Sequence, residues 1–177
     1  MLEGKKVNLR VMEREDLALF AEWESNPKFY RELAVYPLRQ QSKANLEKEY
    51  DKRPPEENWF YIEKKDGTRI GAIFHFLEGR QLEIGYALIP SERRKGYGSE
   101  AATIMVDHLF LLKELVRIQA HTDVKNVASQ GVLEKVGFKK EGTVRKYVFV
   151  NGKWRDALLY SILREEWKEP KILPKTV

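Results

Sequence analysis

Residues 83–100 read EIGYALIPSERRKGYGSE, which joins an apolar run, a cationic turn with two glycines and the first residues of a helix. The run from Leu82 to Ile89 is typical of a buried strand, and Pro90 follows it. After the turn, apolar residues recur at helical spacing: Ala101, Ile104, Met105, Leu109 and Leu112. The stretch therefore predicts a strand, a turn and an amphipathic helix in direct succession.

The turn between these two elements has the features of an anion site. The first N–H groups of a helix lack intrahelical acceptors, and the aligned peptide dipoles add about half a positive charge there. Gly96 and Gly98 allow a ligand to approach the main chain closely. Arg93, Arg94 and Lys95 add formal positive charge. This arrangement predicts a pyrophosphate site.

Two other phosphate motifs are excluded by the same residues. A P-loop ends in Gly-Lys-Ser/Thr, whereas Gly98 is followed here by Ser99 and Glu100. A dinucleotide fingerprint needs a further glycine at the position where this chain has Ala101. A solvated basic turn without a ligand is the alternative that the turn residues by themselves leave open.

The composition limits the class of protein. A chain of 177 residues fits one domain over residues 1–177, with a core over residues 7–167 and a tail over 168–177 that has no evident partner. The absence of cysteine excludes disulfides, thiolate nucleophiles and zinc ribbons. His75, His108 and His121 stand apart without metal-ligand spacing, so we expect no metal site and interpret each as a core or edge residue.

The same letters bear on location and partners. No apolar run approaches the length of a membrane span, and the start of the sequence lacks a signal-peptide pattern. We therefore expect a cytoplasmic protein that does not associate with membranes. The net charge of +5 is interleaved with negative charge and favours polyanionic ligands, nucleic acid among them. The sequence leaves open whether the chain is a monomer or a homodimer.

The rest of the pattern alternates strands and helices. Before the cationic turn we expect a strand at 7–11, helices opening near Arg14 and Ser42, and a three-strand meander at 59–64, 69–77 and 82–89. After it we expect a strand at 116–122, a helix from Asn126 to Gly137, and a hairpin of 145–150 and 154–163 around Asn151-Gly152. This order predicts an α/β (α+β mixed) fold in which helices cover both faces of a mixed sheet.

The turn Arg93-Arg94-Lys95-Gly96-Tyr97-Gly98 resembles the acyl-CoA-binding signature of the GNAT acetyltransferases. A second segment, Asn126-Val127-Ala128-Ser129 followed by Gly137-Phe138, is similar to a downstream segment of that family. Two such segments in the family's order are more specific than either one alone. Glu83-Ile84-Gly85-Tyr86 and the residues around the Asn151-Gly152 hairpin resemble the RimJ/RimL-type branch, whose named members acetylate the N-terminal amine of ribosomal proteins.

The resemblance extends over residues 7–167 and implies the GNAT fold, a twisted, mostly antiparallel mixed sheet of about seven strands that is splayed between its central strands. It implies acetyl-CoA as the cosubstrate. The amides of Leu88 and Ile89 would then bind the thioester and pantetheine, and those from Arg94 to Ser99 the pyrophosphate. The predicted cofactor contacts are Ala87, Leu88, Ile89, Arg93, Arg94, Lys95, Gly96, Tyr97, Gly98, Ser99, Asn126, Ser129 and Lys135.

The chemistry of amide formation adds candidate catalytic groups. An amine must be neutral to attack a thioester, and the resulting oxyanion needs an N–H donor, which an unpaired strand edge near Ala87 and Leu88 can supply. Glu83 is a candidate base, acting directly or through water, with a solvent-facing or ion-paired strand carboxylate as the alternative.

The second family segment supplies two further candidates. Ser129 is similar to a family serine proposed to protonate the leaving thiolate, and Asn126 to an asparagine that binds pantetheine. Both residues also fit an ordinary helix N-terminus. One position departs from the pattern, because some RimL-like members carry a glutamate where this chain has Val148. Tyr97 and Tyr147 are further candidate hydroxyl donors, or packing residues.

The predicted function is transfer of the acetyl group of acetyl-CoA to a protein N-terminal α-amine, with a ribosomal protein as candidate partner. Residues 23–50 are expected to form the acceptor wall, where Glu22, Glu24 and Glu32 either attract a cation or lie on helix surfaces. One alternative is a small amine acceptor, such as a polyamine, an amino acid or an aminoglycoside. The other is a non-catalytic module that binds RNA or the ribosome.

Overall fold

The computed structural model describes residues 1–30, 35, 42–54 and 57–174, and this part of the chain contains one eight-stranded sheet in the order β1-β2-β3-β4-β5-β6-β8-β7. The strands are β1 (Leu2–Glu3), β2 (Val7–Val11), β3 (Trp59–Lys64), β4 (Arg69–Glu78), β5 (Gln81–Leu88), β6 (Arg117–Asp123), β7 (Lys139–Val150) and β8 (Lys153–Leu163). The helices are α1 (Leu17–Glu24), α2 (Pro27–Tyr30), α3 (Lys43–Lys52), α4 (Tyr97–Leu112), α5 (Val127–Val136) and α6 (Arg164–Trp167), with 3-10 helices at Arg14–Asp16 and Pro90–Glu92. None of these described helices combines the length and the hydropathy that a membrane crossing requires.

The centre of the sheet is splayed. Neighbouring strands pair antiparallel except β5 and β6, which run parallel. Their register contains only Leu82 opposite Ile118 and Glu83 opposite Gln119, although β5 continues to Leu88. The two strands therefore separate immediately after Glu83. The predicted mixed sheet, opened between its central strands, is confirmed.

Two details of the strands differ from the prediction. The eighth strand, β1, has two residues, which pair with Leu9 and Asn8 at the edge of the sheet. A strand of that length is too short to display alternation, so the sequence contains no signal for it. β7 begins at Lys139, ahead of the predicted Arg145, and its pairing with β8 shifts register between Val144 and Val148. Lys146 adopts a positive φ of 51° within this bulge.

Helices cover both faces because the central strands are apolar on both sides. In β3, Phe60 and Ile62 belong to the core under α4, whereas Tyr61 between them belongs to the core under α1 and α3. The first core contains Ile104, Met105 and Leu109 of α4, and the second contains Leu17, Phe20 and Leu46. We refer to these two sides of the sheet as the α4 face and the α1 face.

The expectation that the C-terminal tail has no partner is wrong. Asp107 of α4 is fully buried and accepts a hydrogen bond from Trp167 Nε1 at 2.8 Å. Its second carboxylate oxygen accepts from the main-chain N–H groups of Lys171 at 3.0 Å and Ile172 at 2.7 Å. Ile172 and Leu173 also pack against the core on the α4 face. A carboxylate within a helix therefore fixes a segment whose own residues carry no recognisable pattern.

Candidate active site

A cleft of about 560 Å³ lies where β5 and β6 separate. Its walls come from β4, the second half of β5, the turn before α4, the end of β6 and the start of α5. The cleft connects the two faces of the sheet, since Ser129 lines it from α5 and Phe74 lines it from the α1-face core. A molecule bound on one face can therefore reach a molecule bound on the other.

The main chain of β5 directs part of its polarity into this cleft. Ile89 N–H donates to the Ile70 carbonyl of β4 at 2.9 Å, whereas the Leu88 carbonyl accepts from Arg93 Nε at 2.9 Å on the opposite edge. Successive residues of a strand alternate between its edges, so Leu88 N–H points into the cleft and Ala87 N–H points to β4. The amides of Ala87 and Ile89 are consequently not oriented towards a ligand, contrary to the prediction. Leu88 has the orientation that was expected.

The turn before α4 presents main-chain groups to the other end of the cleft. Arg94, Gly96, Gly98 and Ser99 all line it. The chain turns there through two left-handed residues, Arg94 with φ of 63° and Gly96 with φ of 85°. The first bond of α4 is donated by Glu100 N–H to the Gly96 carbonyl at 3.2 Å, so the preceding N–H groups have no acceptor within the helix. This geometry suits an anion such as a pyrophosphate.

The three cationic residues of the turn have different positions. The Arg93 guanidinium donates to the Leu88 carbonyl and to the carbonyls of Lys28, at 3.1 Å, and Phe29. It therefore joins α2 to the end of β5. Lys95 Nζ lies 3.0 Å from the Glu92 carboxylate, outside the lining of the cleft. The structure thus leaves Arg94 as the cation of this turn that lines the cleft without carrying such a clamp.

Glu83 lies at the point where β5 and β6 diverge, and its carboxylate is buried. His121 Nδ1 is 2.8 Å from Glu83 Oε2 and 3.0 Å from Oε1, and Gln119 Nε2 donates to Oε2 at 3.1 Å. The Glu83 side chain is 1 % exposed and that of His121 is 7 % exposed. His121 lines the cleft. The predicted base therefore stands behind a histidine.

The ring of Tyr147 stacks on that histidine. The two rings stack with centroids 4.4 Å apart and an interplanar angle of 13°. Burial, together with the nearby charges of Glu83 and Glu78, raises the pKa of Tyr147 to about 12, so its hydroxyl keeps its proton at neutral pH. The bulge of β7 at residues 144–148 accompanies this contact. Val148, the other position noted in the sequence, pairs with Arg155 of β8.

The start of α5 supplies a hydroxyl pair on the α4 face. Asn126 Oδ1 accepts from Ser129 N–H at 3.2 Å, which caps the helix, and both residues line the cleft. Tyr86 Oη lies 3.0 Å from Ser129 Oγ and also donates to the Ser129 carbonyl at 3.3 Å. Burial raises the pKa of Tyr86 above its ordinary value, so this phenol is a proton donor at neutral pH.

The remaining predicted residues lie away from the cleft lining. Lys135 is exposed on α5, and Tyr97 packs against the α4-face core. Glu22 is exposed on α1, Glu24 is half-buried, and Glu32 lies outside the described residues. Residues 31–34 and 36–41 of the predicted acceptor wall at 23–50 also lie outside the described residues. Within the described ranges, no three His, Asp or Glu side chains are grouped so as to hold a metal ion.

Two residues of the cleft, His121 and Tyr86, were not singled out from the sequence. His121 was interpreted as a core or edge residue because it stands alone between apolar neighbours. A weak signal exists, since Gln119, His121 and Asp123 alternate along one face of β6, and three polar side chains on one strand face indicate a polar interior. Tyr86 was named in the sequence only as part of the segment Glu83-Ile84-Gly85-Tyr86, without a role of its own.

The match to known families and proteins agrees with this geometry. Residues 6–139 match the family described as "Acetyltransferase (GNAT) domain". The chain is 33 % identical to "Probable N-acetyltransferase YjcK" of Bacillus subtilis, over 94 % of this chain and 98 % of the relative. It is 27 % identical to "Spermidine N(1)-acetyltransferase" of Escherichia coli, over 94 % of this chain and 91 % of that relative. It is 30 % identical to the "[Ribosomal protein uS5]-alanine N-acetyltransferase" of Escherichia coli, over 48 % of this chain and 43 % of that relative.

A solved structure has the same fold. The crystal structure of spermidine N-acetyltransferase from Vibrio cholerae in complex with CoA and spermine superposes with a TM-score of 0.81. The match covers 93 % of this chain and 99 % of the other, at 23 % sequence identity.

Proposed function

Because this chain belongs to the GNAT family of acetyl-CoA-dependent acyltransferases, we propose that it acetylates the α-amine at a protein N-terminus by direct attack on the thioester. The amine and acetyl-CoA would bind together, one on each face of the sheet. The single observation that carries this proposal is the cleft between β5 and β6, which joins main-chain donors on the α4 face to an apolar wall on the α1 face.

On the α4 face, the proposed donor site runs from the turn before α4 to the start of α5. The N–H groups ahead of Glu100 would bind the pyrophosphate, with Arg94 adding charge. Asn126 and Ser129 would flank the pantetheine arm. Leu88 N–H would donate to the thioester oxygen, where negative charge develops as the amine attacks.

The acceptor side supports an α-amine more than a polycation. Phe29, Val35 and Phe74 form an apolar wall, and none of the described residues that line the cleft carries a carboxylate. A polyamine needs anionic groups along its length, whereas a peptide N-terminus brings one charge and an apolar or small side chain. An α-amine also loses its proton near pH 8, against about 10.4 for an alkylamine of the lysine type.

A polyamine acceptor is the second candidate. The specific observation in its favour is whole-length similarity to spermidine acetyltransferases, which covers 94 % of this chain. The partial similarity to a ribosomal-protein acetyltransferase favours the first candidate instead. Glu32, the third glutamate singled out near the predicted wall, lies outside the described residues.

The test has two stages. Acetyl-CoA at about 100 times its Kd is expected to raise the free energy of unfolding by about 2.7 kcal/mol. Acetyl transfer is then measured for peptides beginning with Ala, Ser or Thr beside spermidine at equal concentration. A higher kcat/KM for a peptide supports the α-amine proposal, and a higher value for spermidine assigns the chain to polyamines. Stabilisation without transfer to any of these amines contradicts both acceptors.

A further inference from the structure

We propose that His121 is the catalytic residue that takes the proton from the acceptor amine, and that Glu83 is a positioning residue behind it. This inference rests on the proposed function, because it concerns how that site makes the amine nucleophilic. The sequence favoured Glu83 as the base, but the contacts around the two side chains favour the histidine.

Accessibility separates the two candidates. Both oxygens of Glu83 are in contact with His121 Nδ1, and Oε2 also accepts from Gln119 Nε2. A carboxylate that is 1 % exposed and bonded in this way cannot meet an incoming nitrogen without breaking its own contacts. The His121 ring lies between this carboxylate and the cleft.

The carboxylate also selects the tautomer of the ring. An ionised carboxylate only accepts hydrogen bonds, so Nδ1 of His121 carries a proton and donates it to Glu83. The second nitrogen, Nε2, then holds a lone pair and can accept a proton. The Tyr147 ring stacks on the imidazole in this orientation. Nucleophile activation by a carboxylate-oriented histidine is a general catalytic arrangement.

The position of the ring on the sheet matches this role. Side chains alternate along β6, so Ala120 faces the α4 core while Gln119 and His121 face the opposite side. The proposed donor residues Asn126 and Ser129 start α5 on the α4 face. The base therefore approaches the amine from the acceptor side, and the acetyl carbon lies between the two groups in the opening of the sheet.

The reaction balances with groups that are present. His121 Nε2 takes one proton from the acceptor nitrogen, whose lone pair forms the new N–C bond to the acetyl carbonyl. The C–S bond then breaks, and its electron pair leaves on the CoA sulfur. The Ser129 hydroxyl, which is in contact with Tyr86 Oη, gives the thiolate its proton and takes one back from solvent, so that the serine ends the cycle protonated. The imidazolium formed on His121 is stabilised by the Glu83 carboxylate until it releases the proton to solvent.

The test compares His121→Gln with Glu83→Gln, and uses His108→Gln as the matched control. His108 lies outside the cleft lining, against Phe60. His121→Gln is expected to lower kcat by about 100-fold to 10,000-fold and to remove the acidic limb of the kcat/KM–pH profile, with acetyl-CoA binding unchanged. Glu83→Gln is expected to cost less and to move that limb to lower pH, because the protonated ring loses its anionic partner. His108→Gln is expected to retain the wild-type profile.

Two results would overturn the assignment. The first is an acidic limb that persists in His121→Gln and disappears in Glu83→Gln, which would make the carboxylate the base. The second is an NMR measurement, independent of turnover, in which the ring of the acetyl-CoA-bound protein carries its proton on Nε2 and not on Nδ1. If the wild-type protein transfers no acetyl group to these amines, the proposed function is contradicted instead. The NMR measurement of the His121 tautomer would still decide the role of His121.

Other charged or titratable groups also lie in this part of the site. Tyr147 stacks on it from β7, and Glu78 acts on Tyr147. Asp123, two positions further along β6, is in an ion pair with Arg155 at 2.5 Å. Profiles are therefore recorded at constant ionic strength, which keeps the contribution of this pair the same in all variants.

Discussion

The two faces of the cleft are built from different kinds of atoms. On the α4 face, most of the groups directed at a ligand are main-chain N–H groups, from the contiguous turn at 94–99 and from Leu88, with the side chains of Arg94, Asn126 and Ser129 beside them. On the α1 face they are side chains, and Phe29, Phe74 and His121 come from three distant segments. A main-chain site depends on a few residues that permit its backbone shape, whereas a side-chain site depends on every residue in it. This difference explains why the donor is recognisable in the sequence and the acceptor is not.

The largest effect is expected on acetyl-CoA binding, and it tests the main-chain donors on the α4 face. Gly98→Phe is expected to weaken acetyl-CoA binding about 1,000-fold, or about 4 kcal/mol, because the ring would occupy the cleft that Gly98 lines. A Cβ built at Gly98 lies 3.6 Å from Leu88 Cδ1 and 3.8 Å from Val132 Cγ2, so Gly98→Ala fits and serves as the control. Calorimetric titration with acetyl-CoA measures both. Wild-type affinity in Gly98→Phe would remove the start of α4 from the donor site.

The second prediction concerns stability at acid pH. Unfolding at low pH would abolish activity without any change in the catalytic groups, so the two effects have to be measured separately. His75 is fully buried, and neither ring nitrogen has a hydrogen-bond partner among the described residues. Burial lowers its pKa to about 4, so the unfolded chain binds the proton more readily between pH 6.5 and 4. Stability should fall by up to about 3 kcal/mol as the pH decreases through that window.

Denaturant unfolding at a series of pH values measures this loss. His75→Phe keeps a ring of similar size and removes the titration, so its stability should depend less on pH over the same window. An unchanged dependence in the variant would assign the acid sensitivity to other groups. The unfolding data also define the pH below which kinetic profiles report unfolding.

The third prediction concerns Arg93, which connects α2 to the end of β5. Arg93→Gln removes the guanidinium that joins α2 to Leu88, and is expected to lower stability by about 2 kcal/mol and to raise the KM for the acceptor. Arg94→Gln is the matched control on the next residue, and should raise the KM for acetyl-CoA instead. If both variants raised the KM for the same substrate, the assignment of Arg93 to the acceptor side and Arg94 to the acetyl-CoA side would be wrong.

The smallest effect is expected at the hydroxyl pair. Ser129→Ala and Tyr86→Phe should each lower kcat about tenfold, because the leaving thiolate then takes its proton from water. The double variant should lose no more than either single one if the two hydroxyls act as a unit. Steady-state kinetics at saturating acetyl-CoA provides the three values. Additive losses would mean that Ser129 and Tyr86 act separately.

Local chemistry made much of the fold predictable. The Asn151-Gly152 hairpin has the two positive φ angles, 53° and 75°, that its turn type requires. Ser42 accepts from Asn45 N–H at 3.2 Å as a helix cap. The meander of β3, β4 and β5 follows from alternating runs separated by turns. Each of these signals is complete within a few residues, so no knowledge of the rest of the chain was needed.

Contacts between distant segments were beyond such signals. The tail is fixed by Asp107, about sixty positions upstream of Trp167. Lys95 turns to Glu92 and Arg93 to the carbonyls of α2, although both residues read as phosphate ligands. Whether a charged side chain binds a ligand or a neighbour depends on which acceptor is nearer in space, and sequence spacing does not report that distance.

The sequence by itself determined where a strand passes through a glycine-bearing turn into a helix, because backbone conformation at such a junction is set by the residues that form it. Only the tertiary structure decided that β5 and β6 diverge at Glu83 and that His121 covers this carboxylate. The physical reason is that the two residues lie on strands joined through α4, and a parallel pair acquires its register from the packing of that helix on the sheet.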